Sequence, residues 1–225
     1  FIKRGGHTLL FIGGLYQAHY FKGLSLLLKS MKLITSTVTL NIICTGELKN
    51  QYEKEVKSLG LSNRVNFLGK VTLNELPSLY EQMDAVLMPS LLETFSTTYL
   101  EAMFMKKPLV VSDLEFARDI CRDSAIYCTP TSSMDFANAL YNIFRDKQLA
   151  NTLVNNGDIN LKRFGTSMDR TQKYLEIIKE YANQRQNPPH HRRNRFFRNS
   201  CVESLFKYRP FLRNQNFFAR RKETR

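Results

Sequence analysis

The chain has 225 residues, 43% of them hydrophobic, which suffices for one ordinary core with an appended segment. Its formal net charge of +13 is uneven: residues 1–182 hold 21 Lys and Arg against 18 Asp and Glu, whereas residues 183–225 hold 12 against 2. The net charge of the whole chain therefore says little about the function of residues 1–182. The sequence contains no apolar run near the roughly 18–20 residues that cross a bilayer, which argues against a membrane-spanning protein.

Short apolar runs alternate with longer amphipathic stretches from the start of the chain to about residue 128. This alternation is typical of βα units and a parallel sheet. The predicted strands are 8–13, 38–44, 65–69, 85–88, 108–112 and 125–128. The predicted helices are 22–33, 49–60, 74–83, 97–106 and 116–122, followed by 133–147, 148–163 and 168–184. We therefore predict an α/β fold, a Rossmann-like doubly wound parallel sheet with a helical end.

The first junction that suggests a ligand follows the first strand. Gly13-Gly14 ends this strand, and Lys22-Gly23 precedes a helix. Glycines allow a phosphate to approach the backbone, a helix N-terminus offers N–H groups, and Lys22 adds a full positive charge. The alternative is an ordinary glycine turn beside a solvated lysine.

The second junction is "PSLLETFSTTYLEAM", residues 89–103, which follows the fourth strand. Two carboxylates, Glu93 and Glu101, flank a cluster of hydroxyl side chains. Carboxylates accept hydrogen bonds from vicinal sugar hydroxyls, which gives Glu93 a possible ligand. The alternative for the second carboxylate is a capping box in which Thr98 caps the helix and Glu101 returns to its backbone.

These segments resemble the family 4, or group 1, glycosyltransferases of GT-B fold. The motif "PSLLETFSTTYLEAM" is similar to the family's Glu-x7-Glu signature. Three flanking segments also resemble the family in order: "LLFIGGL…FKGLSLLLKSM", "RVNFLGKVTLNELPSLYEQMDAVLMPS" and "KPLVVSDLEFARDICRDSAIYCTP". The resemblance covers residues 7–182 and implies the C-terminal, donor-binding half of a retaining glycosyltransferase.

The resemblance also implies roles for particular residues. Lys22 binds the donor diphosphate, Glu93 contacts the transferred sugar and Glu101 holds the ribose hydroxyls; Lys22 and Glu93 are the catalytic candidates. Gly69 and Val71 lie beside the base. The remaining donor-binding candidates contribute mainly backbone: Gly13, Gly14, Thr94, Phe95, Ser96 and Thr97. The sequence departs from the family where Gly13-Gly14 replaces Gly-Arg and where Thr-Phe-Ser replaces Gly-Phe-Gly.

The resulting hypothesis is transfer of a sugar from a UDP- or GDP-sugar to a glycan or lipid-linked acceptor, with no cofactor and no required metal. The acceptor is expected to bind an N-terminal domain that this chain lacks, so we expect the chain, which begins with Phe, to be a fragment. The alternative is a non-catalytic nucleotide-sugar-binding module or a truncated remnant.

The basic segment 183–225 is predicted to be disordered because it has mainly Arg in place of Lys, no clear helical period and two adjacent prolines. Three interpretations stay open: a read-through sequence without function, contact with an anionic membrane surface, and, least favoured, nucleic-acid binding. The four cysteines form no CxxC pair. We therefore expect a reducing, cytoplasmic location, with peripheral contact at the inner face of the membrane as an extension.

Overall fold

The computed structural model describes residues 6–34 and 37–186. The described part divides between Leu161 and Lys162 into two units. The first unit contains a six-stranded sheet with its helices, and the second contains one long helix. No helix within the described ranges is both long and apolar enough to span a membrane.

All six strands of the sheet are parallel, in the order β3-β2-β1-β4-β5-β6. The central strands form because their side chains are almost wholly apolar and are covered on both faces, as parallel sheets require. Leu9 and Leu10 of β1 and every residue of β4 are buried. The prediction of a Rossmann-like doubly wound sheet is confirmed. The strands are β1 His7–Ile12, β2 Val38–Ile43, β3 Val65–Gly69, β4 Ala85–Met88, β5 Leu109–Ser112 and β6 Ala125–Cys128.

The helices lie close to their predicted positions. Because parallel crossovers are right-handed, helices that follow strands on opposite sides of β1 cover opposite faces of the sheet. α1 packs on α6, and α4 packs on α7. The helices are α1 Leu24–Leu33, α2 Lys49–Ser58, α3 Leu76–Glu81, α4 Thr97–Phe104, α5 Glu115–Cys121, α6 Ser133–Arg145, α7 Lys147–Leu161 and α8 Ser167–Gln186.

One helix start differs from the prediction. The sequence predicts a helix from residue 22, but a 3-10 helix spans Gln17–Lys22 and α1 begins at Leu24. Gly23 separates the two with φ of 75°, a left-handed conformation that costs glycine little. The separation leaves Lys22 at the end of the 3-10 helix, just before the N-terminus of α1.

The predicted basic tail lies outside the described residues, apart from its first four. α8 continues past the predicted boundary at residue 182 and ends at Gln186. The predictions about disorder, membrane contact and nucleic acid concern the rest of this tail and stay predictions. Within the described ranges the three cysteines, Cys44, Cys121 and Cys128, are buried free thiols.

Candidate functional site

The strand order places a crevice at the carboxyl ends of β1 and β4. These strands are neighbours in the sheet, but β1 leads toward β2 and β4 leads toward β5. Their outgoing loops therefore diverge, and such a topological switch point is where open parallel sheets bind ligands. Both junctions singled out in the sequence, at Lys22 and at Glu93, follow these two strands.

The segment that follows β1 brings the side chain of Lys22 next to Gly13. The Gly13 amide donates to the carbonyl of Ile43 at 3.1 Å, so this N–H is already used by the end of β2. The Gly14 amide, by contrast, donates no hydrogen bond to any residue that the structure describes. A Cβ built on Gly13 would lie 2.9 Å from the ring of Phe11 and 3.7 Å from Cγ of Lys22. Glycine here therefore leaves room for the ring of Phe11, and a Cβ would be in only ordinary contact with the lysine stem.

The loops after β1 and β4 are joined through their backbones. The Leu91 amide donates to the Phe21 carbonyl at 2.7 Å. Next to this bond, a Cβ built on Gly23 would overlap the carbonyl oxygen of Pro89, so only glycine allows the approach. The two loops therefore hold the start of α1 against the end of β4.

This junction brings together the two catalytic candidates predicted from the sequence. Nζ of Lys22 forms a short ion pair with Oε1 of Glu93, and the two side chains are 19% and 9% exposed. Ser90 donates a second hydrogen bond to the same Oε1, at 2.9 Å. The other oxygen, Oε2, makes no hydrogen bond with the described part of the chain.

The hydroxyl-rich loop leads directly into α4. Thr94 is exposed, Phe95 and Thr97 are half-buried, and Ser96 is buried. Ser96 is the N-cap of α4, but its side chain makes no capping hydrogen bond. The alternative interpretation, a capping box, is therefore wrong: it needs Thr98 at the N-cap, whereas the helix already begins at Thr97. The first turn of α4 also contains no acidic residue to compete with an anion.

Glu101 is held inside the protein rather than at its surface. It lies on α4, is 5% exposed, and accepts a hydrogen bond of 3.0 Å from the hydroxyl of Tyr80 on α3. Burial, and then the charge of Glu101, raise the pKa of Tyr80 well above its usual value. The phenol therefore remains a protonated donor at neutral pH, and it orients the carboxylate.

Gly69 and Val71 lie on the outer side of the site. Gly69 ends β3 with φ of 70°, opposite Ile43, where an irregular register shortens the pairing with β2. A side chain added to Gly69 would meet no atom within 4 Å, so the loop to the half-buried Val71 is open. Three strand spacings, roughly 14 Å, separate β3 from β4 in the plane of the sheet.

Sequence reasoning missed two hydroxyls that support the carboxylates, Ser90 and Tyr80. Ser90 stands three residues before Glu93, and this short spacing could have predicted a hydrogen bond between the two side chains. Tyr80 is 21 residues from Glu101, and only the fold, which brings the two side chains together, reveals the pair.

The arrangement combines one cation, two oriented carboxylates and two helix N-termini at one edge of the sheet. Such a combination suits a ligand with a diphosphate flanked by hydroxyl-rich groups. Within the described ranges, no group of three His, Cys, Asp or Glu side chains is close enough to hold a metal ion.

Comparisons with known proteins identify the family of this chain. The family model for "Glycosyl transferases group 1" matches residues 6–146. The O-antigen chain mannosyltransferase RfbU of Salmonella typhimurium is 29% identical over 123 residues, which are 54% of this chain and 35% of that protein. The chain spans about a third of the length of the curated relatives it matches.

Solved structures share the fold. Anabaena HepE, in complex with UDP-glucose, has a TM-score of 0.69 at 23% identity over 78% of this chain and 49% of that one. The C-terminal domain of a group 1 glycosyl transferase, LpcC, from Francisella tularensis has a TM-score of 0.59 at 24% identity, over 70% and 85% of the two chains. Together with the family match, the fold and the motif confirm the resemblance seen in the sequence: the chain belongs to the group 1 glycosyl transferases.

Proposed function

We propose that the crevice between β1 and β4 binds the nucleotide-diphosphate sugar from which a retaining glycosyltransferase transfers a hexose. The observation that carries the proposal is the ion pair between Lys22 and Glu93 at the switch point of the sheet. The cation can bind the negatively charged diphosphate, and the carboxylate can accept hydrogen bonds from the sugar hydroxyls. The pair places both groups at one point.

Lys22 is the proposed ligand of the diphosphate. Its ammonium group has three N–H donors, so it binds phosphate oxygens while keeping a contact with Glu93. The uncapped N-termini of α1 and α4 and the Gly14 amide add N–H donors. When the bond between the sugar and the diphosphate breaks, negative charge develops on the departing oxygen. Lys22 and these N–H groups stabilise that charge.

Glu93 is the proposed sugar ligand and Glu101 the proposed ribose ligand. Oε2 of Glu93 is the acceptor for sugar hydroxyls, because Oε1 already accepts from Lys22 and Ser90. Tyr80 orients the Glu101 carboxylate, and the backbone of residues 94–97 lies between the two carboxylates. The loop from Gly69 to Val71 is the proposed neighbour of the base, either uracil or guanine.

No metal is required in this proposal. In the proposed site Lys22 supplies the positive charge that a divalent cation would otherwise bring to the diphosphate. Addition of a chelator is therefore expected to leave nucleotide binding unchanged. A loss of binding that magnesium restores would contradict this part.

The acceptor is proposed to be a glycan or a lipid-linked glycan, bound by a separate N-terminal domain. The relative RfbU is named as an O-antigen chain mannosyltransferase, and this chain spans about a third of its length. Retention of anomeric configuration, a cytoplasmic location and peripheral membrane contact through the basic tail belong to the same proposal.

Calorimetry with a panel of nucleotides tests the proposal. The full chain is titrated with UDP, UDP-glucose, GDP and GDP-mannose, beside Glu93→Gln and Glu81→Gln, a control on the exposed end of α3. We expect nucleotides of one base to bind more tightly than those of the other. We also expect Glu93→Gln to lower the affinity for the nucleotide sugar more than the affinity for the free diphosphate. Absence of binding to all four nucleotides, or equal effects of the two variants, would contradict the proposal.

A further inference from the structure

We infer that Ser90 is a positioning residue that fixes Glu93, so that one carboxylate oxygen is held by the protein and the other serves the donor sugar. The inference rests on the proposed function of the crevice and extends it to a residue with no role in the sequence motif as interpreted above. It concerns how Glu93 stays in place when Lys22 engages the diphosphate.

Ser90 is placed to act on Glu93 alone. It follows β4 by one residue, is 1% exposed, and donates its hydroxyl to Oε1 of Glu93 at 2.9 Å. A serine hydroxyl has one O–H donor, and this donor is used here. Its two chain neighbours are also fixed, since Pro89 packs against Gly23 and the Leu91 amide donates to Phe21.

Lys22 alone does not orient the carboxylate. The three N–H donors of an ammonium group can reach a carboxylate oxygen from many directions, so Lys22 restricts the rotation of the carboxylate plane only weakly. The terminal torsion of a glutamate side chain has a broad, nearly two-fold profile. A directional hydrogen bond to one oxygen restricts that torsion, and Ser90 supplies this bond.

The arrival of a donor makes the contribution of Ser90 larger. Although Lys22 has N–H donors for both ligands, the diphosphate and Glu93 share its positive charge, and this competition weakens the contact between Lys22 and Glu93. The hydrogen bond from Ser90 is unaffected by this competition, since it comes from the loop after β4 and not from the lysine. Glu93 therefore keeps Oε1 anchored, and Oε2 remains available to sugar hydroxyls.

Ser112 offers a matched control for removal of the hydroxyl. It ends β5, the strand next to β4, and is fully buried like Ser90. Its hydroxyl has no hydrogen-bond partner among the residues that the structure describes. Ser90→Ala and Ser112→Ala therefore delete the same atom from adjacent strand ends, with and without a contact to Glu93.

The test compares a nucleotide sugar with the matching free diphosphate. The affinities of the full chain for UDP and UDP-glucose, and for GDP and GDP-mannose, are measured in the parent and in both serine variants. We expect Ser90→Ala to reduce the affinity for the nucleotide sugar about three- to tenfold while that for the diphosphate stays within about twofold. Ser112→Ala should change neither. A residue that only stabilised the fold would alter both ligands equally.

A second background shows whether Ser90 acts through Glu93. In Glu93→Ala, the further change Ser90→Ala should add no loss of nucleotide-sugar affinity, as the two residues form one unit. The inference would be overturned if Ser90→Ala lowered the nucleotide-sugar affinity further in the Glu93→Ala background. It would also be overturned if Ser90→Ala alone left the affinity of the nucleotide sugar, relative to that of the diphosphate, unchanged. If Glu93→Ala lowers the affinities for the nucleotide sugar and the free diphosphate equally, the proposed function of Glu93 fails, and the inference about Ser90 fails with it.

Discussion

Substitution of Tyr80 by Phe isolates the bond that holds Glu101. The change removes the hydroxyl that donates to Glu101 at 3.0 Å and leaves the aromatic ring in place. Both residues are almost fully buried, at 0% and 5% exposed, so water does not replace the lost donor. Hydrogen bonds to charged groups contribute about 1.5–3 kcal/mol, and we expect the free energy of unfolding to fall by this amount.

Tyr99 provides the matched control, because it is an equally buried tyrosine on α4. Its hydroxyl has no hydrogen-bond partner within residues 6–34 and 37–186. Tyr99→Phe therefore removes a buried polar group whose desolvation is uncompensated, and we expect unchanged or increased stability. The two variants differ in whether the deleted hydroxyl had an acceptor.

The assay is urea unfolding followed by far-ultraviolet circular dichroism, which suits a chain that contains no tryptophan. In thermal unfolding followed by the same signal, a loss of 1.5–3 kcal/mol corresponds to a fall in Tm of about 3–12 °C for a domain of this size. Because burial and Glu101 raise the pKa of Tyr80, the difference should be constant from about pH 6 to 9. Equal effects of Tyr80→Phe and Tyr99→Phe would refute the assignment of the bond.

Two further predictions concern the backbone junction and acid stability. Gly23→Ala should lower the free energy of unfolding more than Gly60→Ala does, and it should also weaken donor binding. Both glycines have φ near 75°, where alanine costs about 1–2 kcal/mol of strain. Only Gly23 lies against Pro89, so only there does the added methyl group also collide with the neighbouring loop. Equal losses in thermal unfolding would show that the approach of the loops is unimportant. Hydrogen bonds from Arg118 lower the pKa of Asp113 below 3.8, so their stabilisation is present above pH 3.8 and is lost as the pH falls through the lowered value. Asp113→Asn should therefore reduce the loss of stability in acid, and an unchanged pH profile would contradict this.

The sheet was predictable because its signal is local. Buried parallel strands are continuous apolar runs, and each of the six lies within about two residues of its predicted range. The positions of Lys22 and Glu93 were also predictable, since both stand where a strand ends and a helix approaches, which is where ligands bind in this architecture. Their roles in ligand binding stay predictions.

The missed features depend on contacts between distant segments. The hydrogen bond from Tyr80 to Glu101 joins side chains of two different helices, α3 and α4, and no periodic pattern in the sequence predicts that contact. The capping box at Thr98 failed because loop geometry places the N-cap of α4 two residues earlier, at Ser96. The late start of α1 has a similar origin, as Gly23 takes a left-handed conformation against Pro89.

The central claim is that Lys22, at the switch point of the sheet, binds the diphosphate of a nucleotide. The most direct measurement is the affinity of the full chain for UDP and GDP by calorimetry, in the parent, in Lys22→Met and in Lys29→Met, an exposed position on α1. We predict that Lys22→Met lowers the affinity about 10- to 100-fold, while Lys29→Met changes it less than about twofold. Equal affinities of the two variants, with both folded by circular dichroism, would contradict the claim.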